Sequence, residues 1–241
     1  MVHEGTRLDK QIACPADGFV IYRDERLLAV NKPAGMLVHR GQDNDDVTVA
    51  DIVRDELVGA PVHAGHRLDR PTSGVLLFAL DRDAARCLQE QFEGGRVTKQ
   101  YLALVRGPMT AACELDHPVP RVKDGPRVPA VTVFKPLAHS GRWSLVEARP
   151  RTGRWHQIRL HLKHLSHPVV GDVRYGKGDV NRFFREHYGL SRLALHALSL
   201  ELMHPDGTQL RLTAPLPPDL CEPLERLGVW PLAEHRPTSA P

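Results

Sequence analysis

HRLDRPTSGVLLFAL, residues 66–80, opens with an acid in a proline-bearing turn and closes on six consecutive apolar residues, Val75 to Leu80. That run is too short for a core helix, and it is bounded by Ser73-Gly74 and by Asp81. It therefore reads as a strand buried on both faces. Asp69 cannot sit in a regular helix, because Pro71 removes a backbone donor and pushes Arg70 away from helical angles. A carboxylate fixed at the mouth of a rigid strand is suited to act as nucleophile or base. The alternative is an aspartate that caps its own turn through the amides of Thr72 or Ser73, and turn chemistry alone favours it, since turn aspartates are common.

Working outward, Asp81 is placed to cap a helix over residues 82–93, in which Ala84, Leu88 and Phe92 recur every four residues before Gly94-Gly95 stops it. Residues 97–105 follow as a strand with Lys99, Tyr101 and Ala103 on one face. Upstream, residues 18–30 read as two short strands around Arg23-Asp24-Glu25. NKPAG (31–35) breaks the pattern, and residues 47–57 have helical spacing with Asp46 as N-cap. Downstream, residues 131–137 and 143–149 form one expected hairpin, and 193–203 with 209–213 another. Hairpins with interspersed helices imply an α+β fold, a mixed but mainly antiparallel sheet flanked by helices. One domain is expected over residues 18–232, with a flexible start (1–17) and a flexible tail (233–241).

The chain has 241 residues, 41% hydrophobic and 25% charged, which excludes a wholly disordered or coiled-coil protein. No apolar stretch suits a secretory signal or a membrane span, so a cytoplasmic protein is expected. The four cysteines are far apart and form no CxxC. The net charge of +3 is unevenly divided: residues 149–192 hold ten basic and three acidic side chains, a surplus of +7 against −4 elsewhere. Five histidines lie in the same stretch and are expected to gain charge beside a polyanion. An RNA-like partner fits this segment, as does a merely solvated arginine-rich surface.

Within it, GRWHQIRLHLKHLSHP (153–168) places Trp155, Ile158, Leu162 and Leu165 on an apolar stripe with His156, Arg159 and Lys163 on its flank. The histidines lack HExxH spacing and a matching acid or cysteine set, so no metal site is expected. Arg159 is the candidate for a buried functional cation, or else a snorkelling arginine.

HRLDRPTSG resembles the signature of the RluA-type pseudouridine synthases. Further blocks fall in that family's order: YRDERLLAVNKPAGMLVH (22–39), TKQYLALVRG (98–107), RTGRWHQIRLHLKHLSHPVVGD (151–172) and RLALHA (192–197). The resemblance implies the pseudouridine synthase fold and isomerisation of uridine to pseudouridine without cofactor or metal. It is closest to the branch that acts on position 65 of tRNA. It places the catalytic carboxylate on Asp69, its partner arginine on Arg159, and on Tyr101 the tyrosine that stacks on the uracil and takes part in proton transfer. Leu195 matches the apolar residue packed on the base, and Arg67 the residue that fills the gap left by a flipped nucleotide. Contacts to RNA are expected from Arg154, His156 and Lys163, and from Lys32 and Arg40 beside NKPAG. No S4-like module stands ahead of Tyr22, so RNA recognition is expected to come from the catalytic domain itself, acting as a monomer. The alternatives are the same chemistry on ribosomal RNA, a noncatalytic RNA-binding protein, and, with least support, a hydrolase using Asp69 as base.

Overall fold

The computed structural model of the chain describes residues 18–40 and 47–230; the two expected flexible ends, 1–17 and 233–241, and Asp46 lie outside the described residues. The chain begins β1 (Val20–Arg23), β2 (Leu27–Lys32) and α1 (Val49–Ile52), the last widening into a π-helical turn over Val53–Val58. Then come β3 (His63–Ala64), β4 (Ser73–Ala79), α2 (Arg82–Glu93), β5 (Thr98–Arg106), β6 (Cys113–Asp116), β7 (Val119–Pro120) and β8 (Arg127–Val128). It ends with β9 (Val131–Ser140), β10 (Trp143–Pro150), α3 (Gln157–His164), α4 (Gly178–Tyr188), β11 (Leu195–Met203), β12 (Gln209–Thr213) and α5 (Pro218–Arg226). Ten strands share one sheet, ordered β1-β2-β4-β11-β5-β10-β9-β6, with β3 beside β4 and β12 beside β11; β7 and β8 form a small separate hairpin. The mixed, mainly antiparallel α+β architecture is the expected one. Its parallel pair is β4 with β11, where Ser73 faces His196 and Gly74 faces Ala197.

Every residue of β4 is buried. Val75, Leu77 and Ala79 face α2 residues Ala84 and Leu88, whereas Leu76 and Phe78 face Ile52 and Val53 on the other side. The third apolar cluster joins β5, β10 and β11 to α3, α4 and α5. Gly74 permits the close parallel approach: its φ is +115°, and a Cβ there would lie 2.1 Å from the Ala197 carbonyl oxygen. Thus the segment after the Asp69 turn can enter the sheet only with glycine at this point.

Local signals account for several elements. Asp81 accepts the Ala84 amide at 2.7 Å, as expected of an N-cap. For α1 the cap is Thr48, two residues past the expected Asp46, in a capping box with Asp51. Two helices went unread in the sequence. α4 buries Val180 and Phe184, the latter edge-on to Trp143 at 4.7 Å. α5 starts at Pro218 and buries Leu220 and Leu224. Both carry their apolar residues at i and i+4, but in α4 the charges around that spacing masked it.

Candidate active site

The Asp69 turn is closed by backbone, the Asp69 carbonyl accepting the Thr72 amide at 3.0 Å. The carboxylate points elsewhere: Arg159 Nη1 donates to its Oδ2 at 2.9 Å. Reading this aspartate as the cap of its own turn is therefore not what the geometry shows. NKPAG clasps the same turn from the far side, with the Gly35 amide donating to the Arg70 carbonyl and Arg70 Nε donating back to the Gly35 carbonyl, both at 2.8 Å.

Lys32 completes this clasp, and here the expectation of a phosphate contact is corrected. Its side chain is 0% exposed, and Nζ donates to the carbonyls of Pro33 (2.9 Å), Met36 (2.7 Å) and Arg70 (3.1 Å). An ammonium enclosed by three carbonyls cannot reach a phosphate. Burial, reinforced by the Arg192 charge and partly opposed by Asp69, pushes its pKa down to about 7. The unfolded lysine, with a pKa near 10.4, then binds more protons than the folded one above about pH 7, so stability rises with pH from there to about pH 10. Relative to Lys32→Met, the wild-type protein is expected to gain up to about 1.4 kcal/mol per pH unit across that window. Urea unfolding of both proteins at pH 6.5 and 9 checks this, and parallel pH profiles would contradict it. Arg40 differs in being exposed, with Nε 3.1 Å from Asp51.

Arg159 comes from α3, whose inner face is pinned to β9. Gln157 Nε2 donates to Thr132 Oγ1 at 2.9 Å, and His161 lies with Nδ1 3.0 Å from the same hydroxyl and Nε2 2.8 Å from the His117 carbonyl. The guanidinium is 4% exposed as a residue and forked onto Asp172, with Nε to Oδ2 at 2.7 Å and Nη2 to Oδ1 at 3.0 Å. Asp172 Oδ1 also accepts the amides of Arg174 (2.9 Å) and Tyr175 (3.0 Å). A bidentate fork fixes the plane of the guanidinium and leaves Nη1 aimed at Asp69. Burial opposes the charge on Asp172, yet Arg159 and the two amides outweigh it and hold its carboxyl below the usual range. Burial likewise opposes the Arg159 charge, and the two carboxylates outweigh it. Asp172 was missed in the sequence, where it counted only as one acid against a basic run; the Gly-Asp step closing the 151–172 block was the available signal.

His156 stands at the start of α3 in the left-handed region, φ +52°. Its Nε2 is 3.7 Å from Asp69 Oδ2 and its Nδ1 is 3.0 Å from the Tyr175 hydroxyl. Burial pushes its pKa down to about 4, with Asp69 opposing and Arg159 and Arg174 adding to the shift. Burial thus favours the neutral imidazole of His156. Burial shifts the fully buried His161 in the same direction.

On the sheet, Tyr101 pairs with Ala197 and Ala103 with Leu195, so Tyr101 and Leu195 share a face one diagonal step apart. Tyr101 packs where two apolar clusters meet. Burial, with the Asp69 charge second, raises its phenol well above the ordinary value. Leu195 is only 3% exposed. Beneath the turn, Arg192 Nη2 reaches Ser73 Oγ at 2.6 Å and His196 Nδ1 lies 2.7 Å from the same oxygen, a buried brace that sequence reading did not find. Arg67, Arg154 and Lys163 are exposed. The structure thus gathers Asp69, Arg159, His156 and Tyr101, and adds Asp172 and Tyr175 to them. Among the described residues no group of three His, Cys, Asp or Glu could hold a metal ion, and no helix is long and apolar enough to cross a membrane.

Comparison with known proteins agrees with this geometry. The profile of the family described as RNA pseudouridylate synthase matches residues 26–164. The chain is 43% identical over 212 residues to tRNA pseudouridine synthase C of Haemophilus ducreyi, covering 79% of this chain and 87% of that one. It is 42% identical over 234 residues to the protein of the same name from Salmonella typhimurium, covering 87% and 89%. Among solved structures, human RNA Pseudouridylate Synthase Domain Containing 4 superposes with a TM-score of 0.73 at 30% identity, covering 87% of this chain and 92% of that one. A carboxylate paired to a braced arginine at the mouth of a mixed sheet, within a sequence this close to these relatives, makes the chain a member of the RNA pseudouridylate synthase family.

Proposed function

We propose that this enzyme isomerises uridine to pseudouridine in tRNA, at position 65, with Asp69 as the catalytic carboxylate. The observation that carries the assignment is the 2.9 Å contact from Arg159 to Asp69. A guanidinium held in place by a second, buried carboxylate fixes the Asp69 carboxylate in position, and attack on the sugar or the base, or assistance to base departure, calls for a carboxylate so placed. The reaction exchanges the bond from N1 of uracil to C1′ for one from C5 to C1′ and moves one proton from C5 to N1. It is redox-neutral, so the balance calls for no electron carrier. The base must leave the helix to turn. Tyr101 offers a ring for it to stack on, with Leu195 in the floor beside it, and its hydroxyl oxygen is proposed to take part in moving the proton from C5. The tRNA substrate is supported by the relatives' names, and position 65 by the blocks that resemble that branch of the family. The reading includes one catalytic domain over residues 18–232, working as a monomer in the cytoplasm. Pseudouridine mapping of total RNA from a deletion strain tests it: loss of the signal at tRNA position 65 is expected, and loss confined to ribosomal RNA would overturn the substrate.

Arg67, Arg154 and Lys163, all exposed, are assigned to RNA contacts, the latter two to phosphates. Each phosphate contact contributes about 0.7 to 0.9 to the slope of log affinity against log salt. The double charge reversal Arg154→Glu with Lys163→Glu is expected to flatten that slope by roughly one to two. Filter binding of tRNA at several salt concentrations measures it, and an unchanged slope would remove these residues from the interface.

A further inference from the structure

The loop that follows α3 holds an apolar side chain out in water. Val173 is 95% exposed, although its neighbour Asp172 is 1% exposed. The loop is braced from within. Besides the two amides on Asp172 Oδ1, Gly176 donates its amide to the Asp172 carbonyl at 3.0 Å. Asn181 accepts the Gly171 amide at 2.9 Å and donates to the Asp172 carbonyl at 3.1 Å. A single exposed valine is ordinary, but this one adjoins a stacked column. The Arg174 guanidinium lies 4.7 Å from the centroid of the Trp155 ring, and Trp155 stacks on His156 at 3.9 Å and 14°. His156 in turn is 3.7 Å from Asp69. The column therefore leads from the candidate catalytic carboxylate to the surface in steps close to ring-stacking distances.

Flipping one nucleotide removes a stacking partner from each neighbour. Unstacked RNA bases are taken up by aromatic rings and guanidinium planes, and apolar side chains wedge against exposed base steps. Arg154, Lys163 and Lys177, exposed and close in sequence to Trp155 and Arg174, supply cations for the flanking phosphates. We propose that Trp155, Arg174 and Val173 form a subsite for the nucleobase adjacent to the target uridine. The base stacks on the outer face of the Arg174 guanidinium, which Trp155 supports, and its edge or sugar rests on Val173. The proposal builds on the RNA-modifying reading of the Asp69 site and assigns a substrate contact that this reading leaves open.

The test uses the full chain and the RNA whose uridine the mapping experiment identifies, so a wrong substrate and a wrong subsite fail separately. Arg174→Lys keeps the charge but loses the plane, and Val173→Ser changes an almost fully exposed side chain. The double variant is expected to raise KM about 5- to 30-fold, with the loss falling on KM rather than kcat, because stacking on a neighbouring base does not change during bond exchange. On RNAs carrying an abasic residue at each position flanking the target, one position should raise the wild-type KM by a similar factor. On that RNA the variant's extra loss should shrink to less than about twofold. An equal loss on every abasic RNA, or no loss on the intact one, overturns the subsite. Val173→Ser alone carries the same comparison should the double variant fold poorly.

Discussion

Asp69→Asn is expected to lower the rate of isomerisation by about 10³-fold or more while leaving the fold intact, as tritium release from 5-tritiated uridine in tRNA would show. Asparagine has nearly the same shape and can still accept the Arg159 Nη1 hydrogen bond, which the structure places at 2.9 Å. What it removes is the negative charge. The amide cannot attack C1′ or C6 as an ionised carboxylate does, and it no longer biases the Tyr101 phenol, on which the Asp69 charge acts. Arg159 keeps its fork to Asp172, so the guanidinium stays put and the midpoint of thermal unfolding should move by no more than about 4 °C. Residual activity within about tenfold of wild type would exclude Asp69 as the catalytic carboxylate and assign the chemistry to another group.

Asp172→Ala should act in the opposite manner, through stability first. It deletes both carboxylate oxygens onto which the Arg159 guanidinium, 4% exposed as a residue, is forked, leaving it only Asp69, and it strips the acceptor from the amides of Arg174 and Tyr175. Removing one partner of a buried pair costs about 3 to 5 kcal/mol, which for a chain of this size lowers Tm by roughly 6 to 20 °C. At temperatures where the variant remains folded, activity should fall as well, because Arg159 is then free to turn away from the line that joins it to Asp69. Asp172→Asn retains an acceptor for the two amides and should fall between wild type and alanine in both readouts. Differential scanning calorimetry with tritium release separates the effects, and a Tm within about 2 °C of wild type for the alanine variant would show that the fork does not hold the site.

The elements legible in the sequence are those whose cause is local. The apolar run of β4, the Asp81 cap of α2 and the HPDG turn between β11 and β12 each write their reason within a few residues of themselves. The resemblance of the sequence blocks also placed Asp69 with Arg159, and their side chains meet across 90 positions. What stayed hidden depends on partners far along the chain. Lys32 reads as a cation free to contact RNA within NKPAG, and only the approach of the Arg70 carbonyl, 38 positions away, turns it into a buried clasp. His161 reads as one of five basic-segment histidines until Thr132 and the His117 carbonyl close on it. Asp172 reads as a charge to be subtracted from a basic run, although a carboxylate pinned by two amides is what orients the arginine of that run. In each case the residue type was visible and its burial was not, because burial is set by sheet order and not by neighbours in sequence.

The parallel pairing of β4 with β11 also governs when the enzyme can become competent. β4 finds β2 on one edge and β3 on the C-terminal part of the other soon after it is made, but the Ser73–Gly74 end of that second edge waits for a strand whose His196 lies 123 positions beyond Ser73. Contacts this distant form slowly and, on the ribosome, late. Until residues 195–203 have emerged, a nascent chain leaves the start of its central apolar strand unpaired on one side, Tyr101 has no Ala197 opposite it, and the Arg192–Ser73–His196 brace under the Asp69 turn is incomplete. Chains that stop short of those residues are therefore expected to lack the assembled site, with the unpaired start of β4 left exposed. Competence of the site thus waits on residues 195–203.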